Sequence, residues 1–138
     1  MKLQDEDGAV SGVWMMFMLI VVFAAAGFIF DGGRAIQAER YASTVASGAA
    51  RAAVAAQQLG AITPTGGIDL AVASDAAISH AAAAGIPATD VTVAVNGADV
   101  RVVVTVRRTA VFTALVGRSQ IIATATGTAR FIPTGPTP

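Results

Sequence analysis

Apolar residues follow one another without a charged neighbour from Gly8 to Phe30, most densely from Met15 to Phe23. A helix rises about 1.5 Å per residue, so this stretch can cover the roughly 30 Å hydrocarbon core of a bilayer. Trp14 stands near one end, where an indole suits the headgroup zone. Beyond Asp31 the pattern changes. Ala35, Ala38, Ala42, Val45, Ala46, Ala49, Ala53, Ala56 and Leu59 recur at spacings of three and four, while Arg34, Gln37, Arg40, Thr44, Ser47 and Arg51 fall mostly elsewhere. That is one stripe of a helix. Gly32 and Gly33 offer a flexible joint, each costing about 1 kcal/mol relative to Ala inside a helix. No proline follows until Pro64, and Gly60 is placed to close the helix. Positions 9–59 therefore predict one helix of roughly 75 Å, half in lipid and half out.

The rest of the chain alternates between two periods. Thr63 to Gly67 reads as a turn or linker. A second helix follows, with Asp69 as N-cap, Gly85 just past its end and Pro87 as a stop. Val91, Val93 and Val95 then share one strand face, and Val100, Val102, Val104 and Val106 another. Asn96-Gly97 between them signals a hairpin. A two-residue loop would pair Val95 with Ala98 and a four-residue loop Val95 with Val100; both keep the valine rows on one face. Thr109 to Gly117 reads as a short helical turn capped by Thr109, with Phe112, Leu115 and Val116 on one face. A third strand puts Ile121, Ala123, Ala125, Ala129 and Phe131 opposite Gln120, Thr124, Thr126, Thr128 and Arg130, with a bend at Gly127. The final Pro-Thr-Gly-Pro-Thr-Pro reads as a disordered tail.

These elements predict an α+β fold shaped like a lollipop. The outer half of a long transmembrane helix packs with a second helix on a small antiparallel three-stranded sheet. The expected organisation is a charged leader (1–8), a transmembrane helix (9–30), its extramembrane continuation (31–60), a small α+β cap (61–132) and the tail (133–138). The small-residue stripe lets a sheet or another helix approach closely. It can cover its own domain or serve an oligomer contact, and the pattern alone leaves both open.

A cleaved signal peptide is the alternative for the first segment, since Ala24-x-Ala26 offers a cleavage site. Three features oppose it. Asp5, Glu6 and Asp7 deny the leader a positive charge, the apolar run continues through Phe28, Ile29 and Phe30, and a helical pattern follows. Lys2 and the terminal amine precede the span while Arg34 and Arg40 follow it, so the positive-inside rule gives no orientation.

Composition narrows the function. Charged residues make up 13% of the chain, against about a quarter in soluble proteins. The formal net charge is +0 and no basic block occurs, which speaks against nucleic acid as a partner. There is no cysteine, hence no disulfide or thiolate metal site. His80 is the single histidine and lacks co-ligands at helical spacing, so it reads as a surface or satisfied helix residue. Asp69, Asp90 and Asp99 sit at predicted caps and turns, where aspartate makes local hydrogen bonds. No serine has a base partner except that histidine, and no Walker or dinucleotide spacing is present. Nothing here points to an enzyme, a cofactor or a small-molecule substrate.

Three stretches carry a family resemblance. "DEDGAVSGVW" resembles a charged lead followed by Gly-Ala-Val and an apolar helix. "DGGRAIQAERYASTVASGAARAA" resembles a juxtamembrane Asp-x-Gly-Arg segment with an alanine-rich continuation. "VRVVVTVRRTAVFTALVGRSQIIATATGTAR" resembles a C-terminal succession of valine strand, Phe-x-x-Leu-x-Gly and Thr/Ala strand. Together they resemble a TadE/TadG-like minor pilin or pseudopilin of the tight-adherence (Tad/Flp) type IV pilus system, of actinobacterial type. The resemblance implies a bacterial cytoplasmic-membrane protein, N-terminus inside and cap outside, that enters or assists a surface filament. It implies membrane lipid, other pilin or Tad assembly subunits and copies of itself as partners. Gly8-Ala9 matches the family's processing site. Val10, Val13, Trp14, Phe17, Ile20, Val21 and Phe28 would form the membrane and assembly helix, and Asp31, Gly33 and Arg34 the juxtamembrane motif. One departure stands out. Pilins of this pattern carry a glutamate at the fifth residue after the cut, where this chain has Val13, and no acid occurs from Gly8 to Phe30. Three functions remain in view: a filament or assembly subunit, a membrane-tethered accessory module outside the filament, and a small domain secreted after cleavage at Ala26.

Overall fold

A computed structural model describes residues 5–58, 67–110, 117 and 119–132. Two helices, α1 (Asp5–Gln58) and α2 (Leu70–Ala83), are followed by a 3-10 turn (Ala88–Asp90) and three strands: β1 (Val91–Asn96), β2 (Asp99–Thr109) and β3 (Gln120–Arg130). The strands form one antiparallel sheet in the order β1-β2-β3. The fold is α+β, with a long N-terminal apolar helix, a second helix and a small sheet, as the pattern predicts.

α1 contains 54 residues, which at helical rise is about 80 Å. It passes through Gly32 and Gly33 without a break, so the expected joint is absent. A Cβ on either glycine would meet nothing within 4 Å. Neighbouring turns of regular helix carry both residues, and their propensity penalty is small beside the packing further along. The helix already includes Asp5, Glu6 and Asp7, so the last residues of the charged lead are helical.

From Ala38 onward one face of α1 is buried: Ala38, Ala42, Val45, Ala46, Ala49, Ala50, Ala53 and Val54. This face keeps the predicted positions from Ala38 to Ala53, is widened by Ala50 and Val54, leaves Ala35 and Ala56 half-buried, and packs chiefly on β3 and α2. α2 contributes Ala73, Ala77 and Ala81, one per turn, all fully buried. Asp69 caps α2, its carboxylate accepting from the Ala71 and Val72 amides. At the other end Gly85 has φ 75. The Ile86 amide donates to the Ala81 carbonyl and the Gly85 amide to the Ala82 carbonyl. That is the Schellman pattern, and it turns Ile86 into the core.

Gln57, at the end of α1, is a buried polar residue that hydrophobic periodicity misses. It is 2% exposed. Its Nε2 donates to the Asp69 carbonyl at 2.8 Å, and its Oε1 accepts from the Asp69 amide at 3.2 Å. The amide side chain thereby satisfies both backbone groups of the residue that caps α2 and ties the two helix ends together.

The hairpin pairs Val95 with Val100 and Asn96 with Asp99, leaving Gly97-Ala98 as the turn. This is the second of the two registers the sequence allows. Gly97 has φ 62, while among the described residues no non-glycine has positive φ. A single positive φ at the first turn position fits a type II′ turn, which places the glycine one residue earlier in the turn than an Asn-Gly loop would. Inward residues then align in rows across the sheet: Val91, Val104 and Ala125; Val93, Val102 and Gly127; Val95, Val100 and Ala129. Each row tapers from valine to alanine or glycine, and the small end lies under α1. Gly127 is not a bend. β3 continues through it, and a Cβ there would collide with the Ala46 carbonyl of α1.

The helical turn expected at Thr109–Gly117 lies largely outside the described residues, but its intended cap, Thr109, is the last residue of β2. Extended pairing to Gln120 engages it in place of a cap. The helix end at Leu59-Gly60, most of the Thr63–Gly67 linker and the tail 133–138 also lie outside the described residues.

The two kinds of glycine give opposite expectations. Gly127→Ala forces backbone apart and should lower the stability of the full chain in detergent by about 1–3 kcal/mol. Gly32→Ala adds helix propensity in open space and should raise it, by up to about 1 kcal/mol. Thermal or denaturant melting followed by circular dichroism checks both.

Candidate functional site

Two surfaces stand out, and α1 carries both. The first is its apolar half. Residues 10–26 are exposed around the whole circumference. Val10, Val13, Trp14, Phe17, Ile20 and Val21 all lie open, and Phe28 is 75% exposed. The best window of this helix has mean hydropathy 2.6 and only 6% of it is buried within the chain. A helix that is apolar all round belongs inside a large core or a membrane. The cap is far too small to be that core, and it leaves residues 10–26 uncovered. α1 is long and apolar enough to cross a membrane. Trp14 and Phe17 meet edge to face at 6.4 Å between centroids, which stiffens this surface by about 0.5–1.5 kcal/mol.

The second surface lies where the apolar run ends. Helical geometry separates the members of the predicted juxtamembrane motif. Asp31 turns inward and is 4% exposed, sharing a pocket with Phe28, Gly32 and Ala35 of α1 and Gln120, Ile121 and Ile122 of β3. Gly33 and Arg34 face out. Arg34 lines a groove of about 780 Å³ together with Gln37, Ala38 and Tyr41 of α1 and Arg107, Arg108 and Thr109 of β2. The Arg34 guanidinium lies over the Phe30 ring at 5.3 Å, and that of Arg108 over the Tyr41 ring at 5.7 Å. Tyr41 is itself fixed, its hydroxyl donating to the Ala84 carbonyl at 2.6 Å. Arg107 pairs with Asp90 at 3.2 Å. Asp90 is therefore more than the local turn residue expected from its position. Asp99 likewise lies 3.8 Å from Arg130 at the exposed sheet edge.

The motif residues Asp31, Gly33 and Arg34 are thus contiguous in sequence and divergent in space. The sequence pattern points to Arg34 but not to Arg107 and Arg108. Their adjacency depends on the antiparallel run of β2 beside α1. The two consecutive arginines at a strand end were the available signal. His80 is exposed, with its ring against Gly48 of α1, where a Cβ would collide with it. Among the described residues no group of three or more His, Cys, Asp or Glu could hold a metal ion. The Gly8-Ala9 bond lies within α1.

Residues 8–57 match the family model described as "Putative Flp pilus-assembly TadE/G-like". This stretch is similar to the TadE/G-like pilus-assembly family. The matched range is nearly the extent of α1, so the likeness rests on the apolar half and the alanine stripe together, while the sheet and α2 lie outside it. No curated protein and no solved structure was found to match the chain. The length and apolarity of the N-terminal half of α1 point to membrane anchoring.

Tyr41 joins α1 to the end of α2 through one hydroxyl. Tyr41→Phe should cost about 0.5–1.5 kcal/mol of stability while keeping the ring beneath Arg108. Melting of the full chain in detergent, beside Arg108→Gln as a comparison, measures the hydroxyl separately from the ring contact.

Proposed function

We propose that the chain is a membrane-anchored minor pilin or pseudopilin of a Tad-type pilus. The observation that carries this reading is that one unbroken helix is covered by its own cap over one half and bare over the other. Residues 9–30 span the bilayer once before assembly, with the N-terminus cytoplasmic and the cap, residues 61–132, outside. The bare helix then exchanges lipid for apolar helices of other pilin or Tad subunits, or of further copies of this chain. The exchange needs no new apolar burial, since lipid and helix surfaces are equally dry; packing of small residues and shape decide it. Gly8-Ala9 is the processing site of this reading. A peptidase acting there has to meet an unwound first turn.

A second reading keeps the protein tethered beside the filament. Val13 favours it. A buried carboxylate costs roughly 2.5–3.5 kcal/mol at a helix centre and is retained for a use; this helix has none from Gly8 to Phe30. Its docking then rests on packing alone. Secretion after Ala26 fares worse, because it would leave Phe28, Ile29 and Phe30 on a soluble domain, all exposed.

The test combines intact mass with fractionation. A filament subunit should appear in sheared pili and start at Ala9. A tethered module should remain in the membrane fraction with its lead intact. A soluble form starting at Gly27 would sink both. Ile20→Arg places a charge on the bare helix without touching the cap. It should leave cap melting unchanged and remove the chain from sheared filaments. Its persistence there at wild-type level would show that the helix does not pack among subunits.

A further inference from the structure

We propose that the arginine groove between α1 and β2 binds the phosphate of an anionic phospholipid headgroup. The proposal rests on the membrane placement above. Arg34 lies four residues beyond Phe30, about 6 Å along the helix axis. The headgroup layer extends about 5–7 Å beyond the hydrocarbon edge. The lower lip of the groove therefore sits at the depth of lipid phosphates.

The groove has the chemistry for that ligand. Three arginines line it and, among the described residues, no acidic one does. Asp90 offsets Arg107 from behind. Among the described residues Arg34 and Arg108 have aromatic rings, not carboxylates, as their close partners. A ring face orients a guanidinium without occupying its in-plane N–H donors. Two oriented forks from different elements can thus converge on one phosphate, the geometry for which arginine is suited over lysine. Gln37 and Thr109 add polar side chains at the rim. Bound this way, the headgroup would hold the cap at a set height and rotation on the bilayer.

The experiment uses the full chain reconstituted in phosphatidylcholine vesicles, with and without phosphatidylglycerol. Carbonate-resistant association with pure phosphatidylcholine reports the anchor and fails only if the membrane placement is wrong. Electron spin resonance of spin-labelled lipids then reports selectivity for phosphatidylglycerol over phosphatidylcholine at the protein. The wild-type chain should prefer phosphatidylglycerol. Arg34→Gln and Arg108→Gln should each reduce that preference by up to about fivefold, with unchanged insertion and cap melting. Arg51→Gln, far along α1, should not. Insertion without selectivity, or equal loss with Arg51→Gln, would overturn the proposal. Arginine-dependent uptake of inorganic phosphate in pure phosphatidylcholine, with no lipid selectivity, would overturn the headgroup as its source and leave a soluble-anion site.

Discussion

The close approach of α1 to β3 governs the rest of the molecule. The Ala46 carbonyl lies against the bare backbone of Gly127, and alanines on both elements extend that contact above and below. Small side chains here let a helix and a sheet meet almost backbone to backbone, where dispersion contacts are dense although each residue buries little. The valines that supply bulk sit on β1 and β2, beneath α2 and the far flank of α1. The sheet is thus a wedge, thin under the long helix and thick away from it.

That contact makes the helix and cap one body. A cap seated on a regular helix reports its position directly to the apolar half, with no hinge at Gly32-Gly33 to decouple them. The groove at the border follows from the same seating. β2 ends beside Arg34 because β3, its neighbour, is held against α1. Tyr41 then spans from α1 to the end of α2 and supports Arg108. The polar details at the border depend on apolar packing further out.

Much of this was legible in the residues. The apolar run, the stripe from Ala38 to Ala53, the capping aspartate at Asp69, the turn at Gly85 and the alternation of the strands each announce a local period or a local hydrogen bond. The TadE/G-like likeness falls on α1, the part with the strongest period. What escaped was non-local. Gln57 looks like a solvent residue at a helix end, yet it binds the backbone of Asp69 across a linker. Gly127 looks like a bend, yet it is an ordinary strand position that makes room for the Ala46 backbone. Gly32 and Gly33 look like a joint, yet the helix runs through them.

The sequence by itself determined the two helices and the three strands (though not that β2 runs on to Thr109), that one helix carries a membrane-length apolar surface, and which face of each strand turns inward. Those properties come from the order of side chains along a few turns or residues. Tertiary structure decided the hairpin register, the partner of Gly127, the inward turn of Asp31 and the meeting of Arg34 with Arg107 and Arg108. Each of these requires two distant segments to be placed first, and the spacing of residues along a chain carries no distance between segments until packing has set it.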